Sequence, residues 1–288
     1  KSIASSSLKP STSALSLSSM VDDMASLTTA TIADSNASDS KRGKTTPAAA
    51  REGCLLILRG LVEIVGKPAE PYIVGAFLAA ALDECGSSNS SVREAAEDTV
   101  KALVGLANPW SFENVVSPIL LQSLNCSEWR IKAAALECLK KAATMAPKQV
   151  HLLTPKLIPA MTNQVWDTKA QVSKAARAAL LAVCQTNPNQ DIKPTLPAVV
   201  NAICKPADAN KAVSELIGTT CVVPVDASTL AILCPVLARA LKEKLAIHKR
   251  AACIVISNMS KLVDSPQSVA PFGNLLVPEL QKVAENVQ

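Results

Sequence analysis

The 288 residues carry 49% hydrophobic side chains but only 2% aromatic ones, so a core has to be built from Ala, Leu, Val and Ile. A single globular core of this size usually holds more large aromatic anchors, whereas stacked helical repeats bury surface only against their neighbours. The formal charge is +5 and no apolar run reaches membrane-spanning length, so a soluble chain without a membrane partner is expected.

In chain order, residues 1–46 are dominated by Ser, Thr and Ala with no aromatic residue, and a disordered Ser/Thr-rich tail is expected there. Lys1 and Lys9, with no acid among the first twenty residues, resemble a transit peptide until Asp22 and Asp23 end the pattern. A cytoplasmic location is the expectation, with organellar import as the alternative. Gly43-Lys44-Thr45 imitates the end of a phosphate loop, but Ser38 stands where that motif needs Gly and no strand precedes it.

From Pro47 the pattern turns helical, and a solenoid spanning residues 47–288 is expected. Leu55, Leu58, Val62 and Val65 give a buried stripe for an incomplete first repeat. Glu70 to Leu82 reads as a first helix, and Ser91 with Glu94 has capping-box spacing for its partner. Further helix pairs run over about 113–146, 152–186, 192–222 and 228–263, and Pro271 to Val287 opens another helix. The chain is thus expected to stop inside a longer array.

The stretch Leu152 to Leu180 shows one unit in full. Leu153, Leu157, Ile158 and Met161 form one apolar stripe, with Pro155 placed in the opening turn. Trp166 fills the corner, Asp167 or Thr168 caps the next helix, and Thr168 with Gln171 has capping-box spacing. That helix buries Val172, Ala175, Ala176, Ala179 and Leu180 and turns Lys169, Lys174 and Arg177 outward. The small pair recurs as Ala95-Ala96, Ala133-Ala134, Ala175-Ala176, Ala212-Val213 and Ala251-Ala252, at steps of 38, 42, 37 and 39 residues. Ala76, Pro118, Pro159, Pro197, Pro235 and Pro278 mark the first helices at steps of 42, 41, 38, 38 and 43. Two independent anchors give one period near forty, and Trp129 and Trp166 stand in equivalent turns. The fold class is therefore all-α, a HEAT-repeat α-solenoid of about five to six antiparallel helix pairs.

No catalytic constellation is present. His151 and His248 lie 97 residues apart without a nucleophile or acid at motif spacing, and both read as surface residues. Nine dispersed cysteines without CxxC fit a reducing compartment, and no metal site is expected. Charge is more informative. Residues 47–128 hold five bases and ten acids, whereas 129–180 hold nine bases and two acids, so one part of the array presents a positive strip. The candidates for binding an anionic partner are Arg130, Lys132, Lys169, Lys174 and Arg177, with Lys242, Lys244 and Lys249 in a second basic run. No aromatic residue interleaves to stack bases.

The segments EPYIV (Glu70 to Val74), LIPAMTNQVWDTKAQVSKAA (Leu157 to Ala176) and IHKRAACIVISNMSKLVDSPQSVAPF (Ile247 to Phe272) resemble the N-terminal HEAT region of the fungal translation elongation factor 3 family. The resemblance covers about Glu70 to Leu280, with no counterpart for the first 46 residues and a departure at Gly273-Asn274. It implies a ribosome-bound ATPase whose HEAT region, docking on small-subunit rRNA and ribosomal proteins, precedes two ATP-binding cassettes. The whole protein would act in late translocation and exit-site tRNA release. On that footing this chain holds no catalytic, cofactor or metal residue, ATP and magnesium belong to the full-length protein, and a monomer is expected. The alternatives are a ribosome-associated scaffold of a starvation-kinase coactivator and a generic protein-binding HEAT adaptor.

Overall fold

The computed structural model describes residues 46–219 and 222–286. The expected tail, including Gly43-Lys44-Thr45, lies outside the described residues except for Thr46. Helices account for nearly all regular structure, and the β-pairing seen is one isolated bridge, Val225 with Val263. Five helix pairs are present among the described residues, flanked by one helix before and one after, as the doubled period requires. Among the described residues no helix is long and apolar enough to cross a membrane.

The chain divides into two compact units, the first ending at Leu103. In the first, α1 (Pro47–Val65) starts where Thr46 Oγ1 accepts the Ala49 N–H at 3.3 Å and Pro47 takes a position whose N–H has no helical partner anyway. It stops at Gly66, whose φ of 66° only glycine adopts without strain, and whose N–H returns to the Val62 carbonyl. Leu55 and Val62 are buried and Leu58 partly so. Val65 is exposed, contrary to the expected stripe, because it falls in the last turn before that glycine. A 3₁₀ turn, Lys67–Ala69, leads into α2 (Glu70–Glu84), and α3 (Ser90–Leu106) follows. The start of α3 is capped by Asn89, whose Oδ1 accepts the Ser91 N–H at 2.9 Å. The expected Ser91 cap does not form, since its hydroxyl donates to Glu52 Oε2 at 2.7 Å. Arg51 pairs with Glu84 and Arg59 with Asp98, tying α1 to both following helices.

The second unit opens with α4, a run in three registers: Pro109–Ser111, a π-helical Phe112–Val116 and Ser117–Ser123. Pro118 has no N–H to give, and just ahead of it the Ser117 N–H reaches back five residues to Phe112 O. Then come α5 (Trp129–Met145), α6 (Pro147–Val165), α7 (Ala170–Gln185), α8 (Leu196–Cys204), α9 (Ala209–Ile217), α10 (Ala227–Leu241), α11 (Ala246–Ser260) and α12 (Pro266–Asn286). Connections of four or five residues inside each pair force the partners antiparallel. First helices pack on first helices and second on second, α5 on α7 and α9 on α11. Ala175, Ala176 and Ala179 are buried where those helices meet, so their missing side-chain volume sets the helix spacing.

The fourth pair is short for identifiable reasons. After α7, Asn187 and Asn189 each accept an N–H two residues on, at 2.8 and 2.9 Å, in consecutive turns that end the helix. Pro194 then disfavours helix at Lys193, and Pro206 holds Lys205 extended at φ −136°, ψ 95°, so α8 is confined to 9 residues. With so little first helix between them, α10 packs directly on α6 as well as on α8 and α12. Enclosed on several sides, α10 buries almost every residue from Ser228 to Leu241.

Pro155 does not open its helix, as the sequence reading has it. α6 begins two turns earlier, at Pro147, and Pro155 and Pro159 lie inside it. Pro155 therefore leaves the His151 carbonyl without its helical N–H, and Ser228 Oγ on α10 donates to that oxygen at 2.6 Å.

Candidate nucleic-acid interface

Three hydrogen-bonded contacts align the ends of successive pairs along one edge of the second unit. Gln164 Nε2, buried near the C-terminus of α6, donates to the carbonyl of Leu124 just past α4, at 2.9 Å. Lys132 Nζ, in the first turn of α5, reaches Asp167 Oδ2 in the α6–α7 turn at 2.9 Å. Ser173 Oγ closes α7 back on the Val165 carbonyl at 2.7 Å. Because α6 and α10 both start at the His151–Ser228 contact and pack along one another, their C-terminal ends share an end too. The turns after α4, α6 and α10 thus present their side chains on one edge.

The candidate cations divide on this edge. Lys169, Lys174 and Arg177 are exposed along the start and middle of α7, with no acid from Thr168 to Gln185 to offset them. Arg130 is half-buried with its guanidinium 4.7 Å from the centroid of the Trp129 ring. Lys132 is not an outward-facing group: its side chain is 18% exposed, that of Asp167 12%, and the pair is a junction between repeats. The Lys132 ammonium and the Lys169 N–H together hold the Asp167 carboxyl below its ordinary range. In the second run Lys244 is exposed, Lys249 is partly buried, and Lys242 lies 3.8 Å from Glu279.

Two further expectations on this edge are corrected. Trp166 does not fill the corner; it ends α6 with 58% of its surface exposed. Nor is it equivalent to Trp129, which begins α5, so the two indoles sit on opposite strands of successive turns. The Thr168–Gln171 box does not form. Asp167 Oδ1 accepts the Lys169 N–H at 2.9 Å, a tight turn that leaves Lys169 in the capping position without a side-chain bond.

At the opposite edge lies a polar cluster that periodicity alone did not mark. His151 is not a surface residue: its side chain is 11% exposed and its Nε2 lies 2.7 Å from Asp226 Oδ2. Burial pushes the Asp226 carboxyl up, but hydrogen bonds from His151 and from the Thr229 hydroxyl and N–H outweigh it and hold it at about 2. Asn187 Nδ2 donates to Thr229 Oγ1 at 3.0 Å, and Asp191 Oδ2 accepts the N–H groups of Val222 and Val223 at 2.6 and 2.7 Å. Both carboxylates and the Asn187 amide there have structural partners, while His151 Nδ1 is buried without one, and the cluster is a joint around the short fourth pair.

No group of three metal-ligating side chains occurs among the described residues. The described cysteines form no disulfide; burial pushes the thiols of Cys184 and Cys234 up, the latter to about 12, which leaves them unreactive. A cavity of about 20 Å³ between Asn189, Leu233 and Met259 has room for a water molecule, and a groove of about 210 Å³ beside Gln185 and Pro197 lacks convergent polar groups.

Comparison with known proteins supplies what geometry cannot. Residues 11–180 match the family described as EF3 N-terminal HEAT repeat, and residues 208–288 match Elongation factor 3/GNC1 HEAT repeat. The first match begins at residue 11, so most of the expected tail does have a counterpart in the family. Elongation factor 3 of Mycosarcoma maydis is 37% identical over 238 residues, 82% of this chain and 22% of the relative. Elongation factor 3 of Gonapodya prolifera is 35% identical over 83% of this chain and 22% of its own length. Elongation factor 3B of Saccharomyces cerevisiae is 37% identical over 74% of this chain and 20% of its own length. The chain thus spans about a fifth of these relatives.

Proposed function

Because this chain belongs to the elongation factor 3 N-terminal HEAT-repeat family, we propose that it is the ribosome-binding scaffold of a translation elongation factor. The observation that carries the reading is the α6–α7 edge. Asp167, the one acid of α6 and α7 and their turn, is consumed by Lys132, and Lys169, Lys174 and Arg177 stand exposed along the start and middle of α7, which interlocked repeats hold in place. Rigid spacing of cations suits a phosphate backbone, where each contact releases counterions. In this reading small-subunit rRNA and neighbouring ribosomal protein are the partners, the cytoplasm is the location, and the chain acts as a monomer. The whole protein would use ATP and magnesium in translocation and exit-site tRNA release. The described residues hold no phosphate loop and no metal-ligating trio, so no step of that chemistry is assigned to them.

The test is co-sedimentation with ribosomes across a salt series. Reversing Lys169, Lys174 and Arg177 to Glu should abolish binding at moderate salt and leave the far-UV helix signal intact. The same reversal at Lys242, Lys244 and Lys249 should weaken binding less, since Lys242 already has Glu279 nearby and Lys249 is partly buried. Parent-like binding by both triple variants would refute the reading. A second reading has one observation in its favour: the model matching 208–288 is shared with GNC1. That reading is a ribosome-associated scaffold of a starvation-kinase coactivator, and the full-length gene separates the two by whether it encodes two phosphate-loop cassettes.

A further inference from the structure

An exposed tryptophan on a rigid basic edge asks for a partner. Trp side chains bury large areas in cores and interfaces, and Trp166 at the end of α6 leaves 58% of its surface to solvent. Singly exposed apolar residues are ordinary, so the weight rests on what surrounds this one. The next turn along the edge carries Trp129 with Arg130 stacked 4.7 Å from its ring centroid. The Lys132–Asp167 bridge locks that turn to the one bearing Trp166. Lys169 is exposed three residues further on, and Lys174 and Arg177 continue the positive charge. Flat rings held by a rigid scaffold among cations are the elements with which single strands are bound: cations track the phosphates while the rings take unstacked bases. A duplex keeps its internal bases stacked on one another, so along its length it offers no base face to an indole at a turn.

We infer that this edge receives single-stranded RNA, with an unpaired base stacked on Trp166 and the adjoining phosphates held by Lys169, Lys174 and Arg177. The inference rests on the ribosome-binding reading and narrows it, from rRNA in general to an unpaired loop or bulge. It also revises the expectation that no aromatic residue interleaves with the basic strip, because the turn that leads into α7 sets an exposed indole three residues before Lys169.

The test uses the chain with a labelled, non-self-complementary RNA of about 12 nucleotides, the span of one single-strand groove, and the duplex it forms with its complement. Trp166→Ala should raise the Kd for the single strand by about tenfold, leave the duplex Kd and the salt slope unchanged, and be largely rescued by Trp166→Phe. Trp110→Ala is the control. Trp110 is 69% exposed but starts α4, at the end of its pair away from Trp129, and its loss should change nothing. The Lys169, Lys174 and Arg177 reversal should instead weaken both RNAs and flatten the salt dependence. Unchanged single-strand binding by Trp166→Ala, or an equal loss on the duplex, overturns the stacking inference and leaves the ribosome reading standing. If Trp166→Ala loses ribosomes but not the free strand, the indole meets a ribosomal protein and the inference is likewise wrong. Parent-like ribosome binding by the charge reversal overturns the broader reading, whatever the indole does.

Discussion

Proline inside α6 makes a prediction that only the folded chain could suggest. Pro155 removes the N–H that would bond the His151 carbonyl, and Ser228 Oγ, on a residue 4% exposed, supplies the replacement at 2.6 Å. Truncation by Ser228→Ala strands a partly buried carbonyl that its own helix cannot satisfy, at a cost of about 1–3 kcal/mol. Restoring the backbone donor by Pro155→Ala should make the serine redundant, so Ser228→Ala in that background should cost about 0.5 kcal/mol or less. The double-mutant cycle should therefore show a coupling of about 1–2 kcal/mol. Urea titration of the four proteins, followed by helix signal at 222 nm and compared at unchanged m, measures it. Equal costs for Ser228→Ala in both backgrounds would refute the reasoning, showing that the hydroxyl matters through something other than the orphaned carbonyl.

Acid should loosen the same joint: the Asp226 carboxyl is held at about 2, below its ordinary value near 3.8, so its stabilisation is present above pH 4 and lost as pH falls towards 2. Asp226→Asn should flatten that part of the pH dependence of the urea midpoint, and a slope as steep as the parent's would count against it. Ala176 is fully buried between second helices, so Ala176→Leu should overpack the stack and cost about 1–3 kcal/mol in the same titration. Lys132→Gln should lower stability by leaving Asp167 unpaired, yet spare ribosome binding, whereas Lys169→Glu should do the reverse; loss of binding by Lys132→Gln would return Lys132 to the interface.

The repeat was legible because burial against neighbours repeats wherever the fold does. Small residues at the tight crossings and prolines in the first helices kept a period near forty even where the helices themselves shortened. Helix ends were less legible. Pro155 pointed to a helix start because an interior proline normally loses a hydrogen bond. What tolerates it is Ser228, 73 residues later in sequence and on another helix. His151 looked like surface for the same reason, since its partner Asp226 is brought to it only by the shortness of the fourth pair.

The two edges of the second unit share one chemistry and differ in who completes it. On the His151 edge each carboxylate and amide finds its partner within the chain, and burial then makes each such group costly to unpair. On the Trp166 edge the one acid of the α6–α7 hairpin, Asp167, is used up internally by Lys132, and Lys169, Lys174 and Arg177 are left exposed on α7 together with one uncovered indole. Counting bases along the sequence found the excess but could not separate the lysine that joins repeats from those turned to solvent, because Lys132 and Lys174 occupy matching positions in their repeats. What separates them is Asp167. It reaches back to Lys132 of the preceding pair, whereas the fourth pair, cut short by Pro194 and Pro206, places Asp208 beside Asn201 of its own hairpin. The same shortening that closes one edge around His151 thus leaves the α7 cations of the other unneutralised, which is the property a phosphate-bearing partner would select.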